Sequence, residues 1–237
     1  MTDALLLVGR QHTREVAEAH ASRLRERGAA DRVDVATYDR DPAELSASTD
    51  VDGETYVVPM AAAPDRDTTR DIPGALPTAH HCEPVGVSPA VSRALADRAR
   101  ETVAAGPDAS LAVVAFGDTS RAGQRRATEA HVSRLRETTQ YGEVTAAYLL
   151  QNPAAECVRY NLTGDRAVVV PFFLAPCEET DRALPAKLEL DRGGLAYADP
   201  LGRHEAITDA IEAEVAKARS LGSGTAAVDP VATDGGR

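Results

Sequence analysis

The chain has 237 residues, 43% of them apolar, and a formal net charge of −11 from 37 acidic against 26 basic residues. That is enough apolar side chain for one large core or two modest ones. The acidic balance, without a basic stripe carrying interleaved aromatics, excludes the phosphate neutralisation on which nucleic-acid binding rests.

Short apolar runs alternate with stretches of helical period. In the first half, strands are expected at Ala4 to Val8, Arg32 to Thr37, Thr55 to Val58 and His81 to Pro84. Helices are expected at Thr13 to Arg27, Thr68 to Ala75 and Pro89 to Ala104. The second half follows with strands at Leu111 to Ala115, Val144 to Leu149, Ala167 to Val170 and Leu195 to Ala198. Its helices are expected at Gly123 to Thr138, Pro153 to Leu162, Glu179 to Glu189 and His204 to Ala218. Pro42 and Pro153 each follow a residue suited to an N-cap, where a fixed φ and a missing N–H cost nothing. Strands joined by helical crossovers pair in parallel, which gives an α/β fold with an open parallel sheet in each half. Gly106-Pro107-Asp108 reads as the hinge. The expected division is residues 1–105, residues 106–218 and an unstructured tail over 219–237, where Gly, Ala, Ser, Thr, Val and Asp recur without period.

The halves repeat one another. Val57-Val58-Pro59-Met60-Ala61-Ala62-Ala63-Pro64, then Thr68 and Asp71-Ile72-Pro73, returns 112 residues later as Val169-Val170-Pro171-Phe172-Phe173-Leu174-Ala175-Pro176, then Thr180 and Leu184-Pro185. Asp41-Pro42-Ala43 returns as Asn152-Pro153-Ala154 at an offset of 111, as does the helix carrying His20, whose counterpart carries His131. Duplication predicts two similar halves related by a pseudo-twofold, with a cleft between them. Ligands of such sheets sit beyond the carboxyl ends of the strands.

Composition bears on location and chemistry. No apolar run approaches the ~20 residues of a membrane span, and Ala4 to Val8 is too short and lacks the flanks of a signal peptide, so a cytoplasmic protein without a membrane partner is expected. Only Lys187 and Lys217 are lysines. Such an acidic, lysine-poor surface suits a salt-rich, halophilic cytoplasm, where salt screens carboxylate repulsion. Cys82, Cys157 and Cys177 are odd in number with no close pair, which supports neither a disulfide framework nor a zinc ribbon.

Across both halves, roughly residues 3 to 218, the chain resembles the CbiX and SirB class of sirohydrochlorin chelatases. The resemblance rests on Val170-Pro171-Phe172-Phe173-Leu174-Ala175-Pro176 and Pro200-Leu201-Gly202-Arg203-His204, and on the repeat of the first of these at Val57 to Pro64. It implies a chelatase-like fold and insertion of Co²⁺ or Fe²⁺, as a substrate, into the carboxylate-rich tetrapyrrole sirohydrochlorin in cobalamin or siroheme biosynthesis. No nucleotide or other cofactor is implied.

The family places one histidine after strand one and another after strand three. Here the first position falls on Arg10 and Phe116, and the second on Asp67 and Glu179. An arginine neither ligates a metal nor accepts a proton. Weak or absent metal insertion is therefore expected, with Arg10 and Asp67 forming an ion pair in the vacated place. Glu179 aided by Cys177 or Asp118, or else His12 after a small shift of its turn, is an alternative metal centre. Arg66, Arg70, Arg121 and Arg182 are candidates for the substrate's carboxylates, and His204, matching the family's last histidine, is a candidate at the pocket rim. His20 and His131 read as packing residues, and of the His80-His81-Cys82 run only His80 and Cys82 could share a strand face. Two other roles stay open: a non-catalytic tetrapyrrole- or metal-binding protein, and a scaffold that forms a homodimer or pairs with an intact chelatase.

Overall fold

A computed structural model describes residues 3–49, 51, 54–117 and 122–224. The strands are β1 (Asp3–Arg10), β2 (Arg32–Tyr38), β3 (Glu54–Pro59), β4 (His80–His81), β5 (Ala109–Ala115), β6 (Glu143–Tyr148), β7 (Arg166–Pro171) and β8 (Ala196–Tyr197). The α-helices are α1 (Arg14–Arg27), α2 (Leu45–Ser48), α3 (Ile72–Ala75), α4 (Val91–Thr102), α5 (Ala122–Thr138), α6 (Val158–Asn161), α7 (Leu184–Lys187) and α8 (Glu205–Gly224).

The strands form two four-stranded sheets of matching order, β2-β1-β3-β4 and β6-β5-β7-β8. All the pairings are parallel; Leu6 of β1 lies between Asp34 and Val57, and Val113 of β5 between Ala146 and Val170. The central strands are apolar throughout because both faces of each sheet are covered. Leu6, Val8, Val57 and Leu45 pack with Ile72 and Leu76 on the outer face of the first sheet. Ala112, Val114, Val169, Leu184 and Leu188 do the same in the second.

The inner faces share one core. Leu5, Leu7 and Val58 from the first sheet and Leu111, Val113 and Val170 from the second belong to a single buried cluster. Two exchanged helices join them: α4 of the first half packs on β7 and α5 of the second, while α8 of the second packs on β3 and α1 of the first. In α4 the stripe Val91, Ala94, Leu95 and Ala99 is buried, and in α8 the stripe Ala206, Ile207, Ala210, Ile211 and Val215, each at the helical spacing that keeps one face inward. A fully buried Leu95 or Ile207 contributes about 2 kcal/mol. The exchange is reciprocal, as a twofold relation between the halves requires.

Several elements differ from expectation. The fourth strands shrink to two residues each, since the chain turns at once into Pro84 and Pro200 on the way to the exchanged helices. Asp41 caps its short helix with a full capping box and Pro42 inside it. Pro153 does not open a helix: Asn152-Pro153 is cis and the Pro153 carbonyl accepts from Tyr148 N at 2.9 Å. The helix expected from Pro153 to Leu162 is reduced to a 3-10 turn and α6. The helix α8 continues to Gly224, into the segment expected to lack structure, and residues 225–237 lie outside the described residues. The expected hinge is pinned to the second half, where Arg166 holds the Asp108 carboxylate at 2.9 and 3.0 Å and the Ala104 carbonyl at 3.2 Å.

Candidate site in the cleft between the halves

The segments following β3 and β7 meet at the junction of the halves. After β3 the chain runs through Met60-Ala61-Ala62-Ala63 into a π-helical turn over Asp67–Asp71; after β7 it runs through Phe172-Phe173-Leu174-Ala175 into another over Glu179–Ala183. In both, the widened turn is closed by an N–H donated to the carbonyl of the acidic residue, Ile72 to Asp67 and Leu184 to Glu179. Pro73 and Pro185 follow directly and have no N–H to continue an α ladder. Thr68 and Thr180 anchor the entrances, Thr68 exchanging hydrogen bonds with Asp65 at 2.9 Å and Thr180 accepting from Cys177 N at 2.9 Å. Gly86, after β4, is fixed against this segment: a Cβ there would lie 2.0 Å from the Ala62 carbonyl oxygen.

Two recesses flank the meeting point. One, of 140 Å³, has a first-half wall that includes Gly9, Arg10, His12, Tyr38 and Met60 and a second-half wall of Phe173, Leu174 and Ala175. The other, of 150 Å³, lies among Ala115, Phe116, Gln124, Phe172 and Phe173, with Ala61 to Ala63 from the first half. Each is smaller than the ~300 Å³ of an ordinary small-molecule pocket.

Arg10 and Asp67 are paired. The Arg10 guanidinium donates to Asp67 Oδ2 at 2.5 Å, with side-chain exposures of 46% and 15%. Tyr38 also donates to Asp67 Oδ2, at 3.0 Å, and the Arg10 guanidinium stands 5.6 Å from the Tyr38 ring centroid. Burial works against the Arg10 charge, but Asp67 and Tyr38 beside it hold its pKa above the ordinary value. The Tyr38 hydroxyl is pushed up by burial first and by the Asp67 charge second. The position matching Arg10 in the second half is the half-buried Phe116, which cannot neutralise an acid.

His12 and Glu179 belong to opposite halves, and the Glu179 charge acts on the His12 ring. His12 lies on the 3-10 turn Gln11–Thr13 and is exposed at the cleft. Burial lowers its pKa, the Glu179 charge opposes that shift, and Arg10 adds to it. Burial first, and the neighbouring Glu179 after it, push the Cys177 thiol pKa up, so a thiolate ligand is disfavoured. Among the described residues no group of three or more His, Cys, Asp and Glu is arranged to hold a metal.

The other candidates lie elsewhere. Arg66 and Arg70 line an open groove on the first half, with Arg40, Asp41, Asp67 and Asp71, and not the recesses. Arg66 is held by Asp71 at 3.1 Å. Arg182 is exposed and lines neither recess, and Arg121 and Asp118 lie outside the described residues. His204 caps α8, accepting from Ala206 N at 3.2 Å, and its Nε2 stands 3.5 Å from Asp97 of α4. That places it at a helix junction and not at the cleft rim. His80 stacks on Tyr56 at 5.1 Å, whereas Cys82 is buried with its thiol pushed up to about 12 by burial, so the two make no joint site. Arg40, in the arginine groove, carries no signal in the sequence that would single it out.

Fold and cleft together define a chelatase-like α/β protein. Residues 110–218 match the model of the CbiX family. The chain is 27% identical over 203 residues to the probable sirohydrochlorin cobaltochelatase of Halobacterium salinarum, over 72% of this chain and 70% of that protein. Its fold matches SirB from Bacillus subtilis, solved with Fe³⁺, with a TM-score of 0.74 and 17% identity over 94% of this chain and 98% of that one. It also matches a multi-domain Deinococcus radiodurans protein with structural similarity to chelatases, with a TM-score of 0.77 and 21% identity over 92% of this chain; here the chain spans 55% of the other's length. The second half of the chain is thus similar to the CbiX family, and the fold of the whole is similar to that of the chelatases.

Proposed function

We propose that the chain is a cytoplasmic chelatase that inserts a divalent metal, Co²⁺ or Fe²⁺, into sirohydrochlorin bound across the cleft, without a cofactor. The observation that carries this is the cleft itself, walled by the strand-end segments of both halves, Met60 to Ala62 facing Phe173 to Ala175. Apolar walls accept the flat macrocycle, and Arg10, which lines the recess and is 46% exposed, meets one of its carboxylates as a charge-assisted pair. With arginine in place of the family's first histidine, insertion proceeds more slowly than in a histidine-bearing relative.

The Arg10–Asp67 pair favours a second reading, a tetrapyrrole-binding protein without turnover, because the vacated position is filled and its charges matched. Binding and blocking the cleft tests the shared part of both readings. Ala61 lines both recesses, so Ala61→Trp should abolish the sirohydrochlorin fluorescence change that the parent shows on titration at high salt. A parent that does not bind, or an Ala61→Trp variant that binds as the parent does, would contradict the cleft assignment.

A further inference from the structure

We propose that Glu214 makes the seat of the exchanged helix α8 depend on pH: as a neutral acid it stays among the apolar residues that dock the helix on the first half, and on ionising it drives the last turns of α8 away from them. The inference is independent of the chelatase reading of the cleft.

Glu214 stands where the helix needs an apolar residue. It follows Ile207, Ala210 and Ile211 at the spacings of seven, four and three that share one helix face, and that face is buried against the first half. The side chain is 5% exposed, and among the described residues its buried Oε2 has no hydrogen-bond partner. A carboxyl in such a place is strongly disfavoured as an anion and tolerated as an acid.

The other exchanged helix treats the same position differently. The hydrogen bonds of His20 to Thr208 and of His131 to Ser92 make these two hydroxyls counterparts, and six residues further on lie Glu214 in α8 and Arg98 in α4. The longer Arg98 carries its charge outward, donating to Glu101 at 2.8 Å and to the Leu201 carbonyl at 3.3 Å. The shorter Glu214 keeps its carboxyl inside.

The groups around Glu214 do not neutralise it. On its own helix, Lys217 Nζ stands 3.8 Å from Oε2 and is bonded instead to Glu83; Arg219 is engaged by Asp3 and the Ala29 carbonyl. The segment after β4 brings the negative charge of Glu83 and the buried Cys82 thiol, which burial and the Glu214 charge hold neutral. From β3, α1 and α4, which also pack on α8, no charged group acts on it among the described residues. Burial raises the pKa of Glu214 above its ordinary value, Lys217 opposes that shift and Glu83 adds to it. The neutral form therefore contributes stability that is complete below the unfolded value of ~4.3 and is lost as pH rises through the folded value.

The test is amide hydrogen exchange of the full chain at high salt, read by mass spectrometry at about pH 5 and about pH 8 and corrected for the intrinsic exchange rate. Relative to peptides of α5, the last turns of α8 in the parent should lose at least tenfold in protection at the higher pH. Glu214→Gln, which keeps the shape and stays neutral, should hold those turns equally protected at both. Glu214→Leu should do the same, which keeps the test open if either variant folds poorly. A parent whose α8 protection does not change with pH, or neutral variants that lose as much as the parent, would overturn the proposal.

Discussion

His20 of α1 reaches across the junction of the halves to the Gly202 carbonyl, with Nε2 at 3.0 Å from the oxygen, while Nδ1 stands 2.9 Å from the Thr208 hydroxyl of α8. The carbonyl can only accept, so Nε2 carries the proton and Nδ1 accepts from Thr208. His131 repeats the arrangement in reverse, 2.7 Å from the Gly86 carbonyl and 2.8 Å from Ser92 Oγ of α4. Each imidazole is buried and ties a helix of one half to the exchanged helix and strand-four turn of the other. Removing either ring leaves a buried carbonyl unpaired and opens a cavity. His20→Ala and His131→Ala should each cost about 2 to 4 kcal/mol in denaturant unfolding at high salt. A loss below about 0.5 kcal/mol at both would remove the inter-half role.

The same rings set an acid limb. Burial lowers the His20 pKa to about 4 and also lowers that of His131. Their neutral forms stabilise the fold fully above the unfolded value of ~6.5. As pH falls from there towards 4, the unfolded chain takes up protons that the folded chain resists, and stability falls. Unfolding free energy measured at constant salt should drop by roughly 3 kcal/mol from His20 across that window, and His20→Ala should flatten the limb. An unchanged limb in His20→Ala would contradict the assignment.

Arg10 and Asp67 form a pair that is only partly buried, so solvent screens it and the ~3 to 5 kcal/mol of a fully buried pair does not apply. Asp67→Ala strands both Arg10 and the Tyr38 hydroxyl and should cost about 1 to 2 kcal/mol, with a double-mutant cycle to Arg10→Ala showing positive coupling. An Asp67→Ala variant as stable as the parent would remove the pair from the account. Replacing both residues by histidine restores the family's ligand types, and Co²⁺ affinity should rise above the parent's.

The α1 to α8 contact is also electrostatic. Arg27 meets Glu205, Asp209 and Glu212 at 3.0, 2.8 and 2.6 Å. Exposed pairs of this kind contribute about 1 kcal/mol or less and are screened within ~3 Å at molar salt. The net charge of −11 acts in the opposite sense, because screening relieves self-repulsion. The parent's Tm should therefore rise with salt while the deficit of Arg27→Ala shrinks. A deficit that grows with salt would show that Arg27 acts through packing.

Much of this fold was legible because the chain states it twice. The repeated Val-Val-Pro segments and the paired helices carrying His20 and His131 implied two parallel sheets, which the structure contains. The helix exchange was not legible: the apolar stripes of α4 and α8 fit either sheet, and only the three-dimensional path of the chain after β4 and β8 decides which one they cover. Nor does periodicity distinguish an α-helix from the π-helical turns at Asp67 and Glu179, where the prolines intervene. At the site, Arg10 and Asp67 stood out by departing from a known pattern. That His12 shares a recess with Phe173 to Ala175 depends on how the halves face each other, and no spacing within either half encodes it.

The central claim is that this cleft still delivers a metal to a tetrapyrrole, and the absorbance change of sirohydrochlorin mixed with Co²⁺ and the parent protein at high salt tests it most directly. The account predicts insertion faster than the protein-free background and slower than that of a relative retaining both histidines. A time course indistinguishable from background would contradict it.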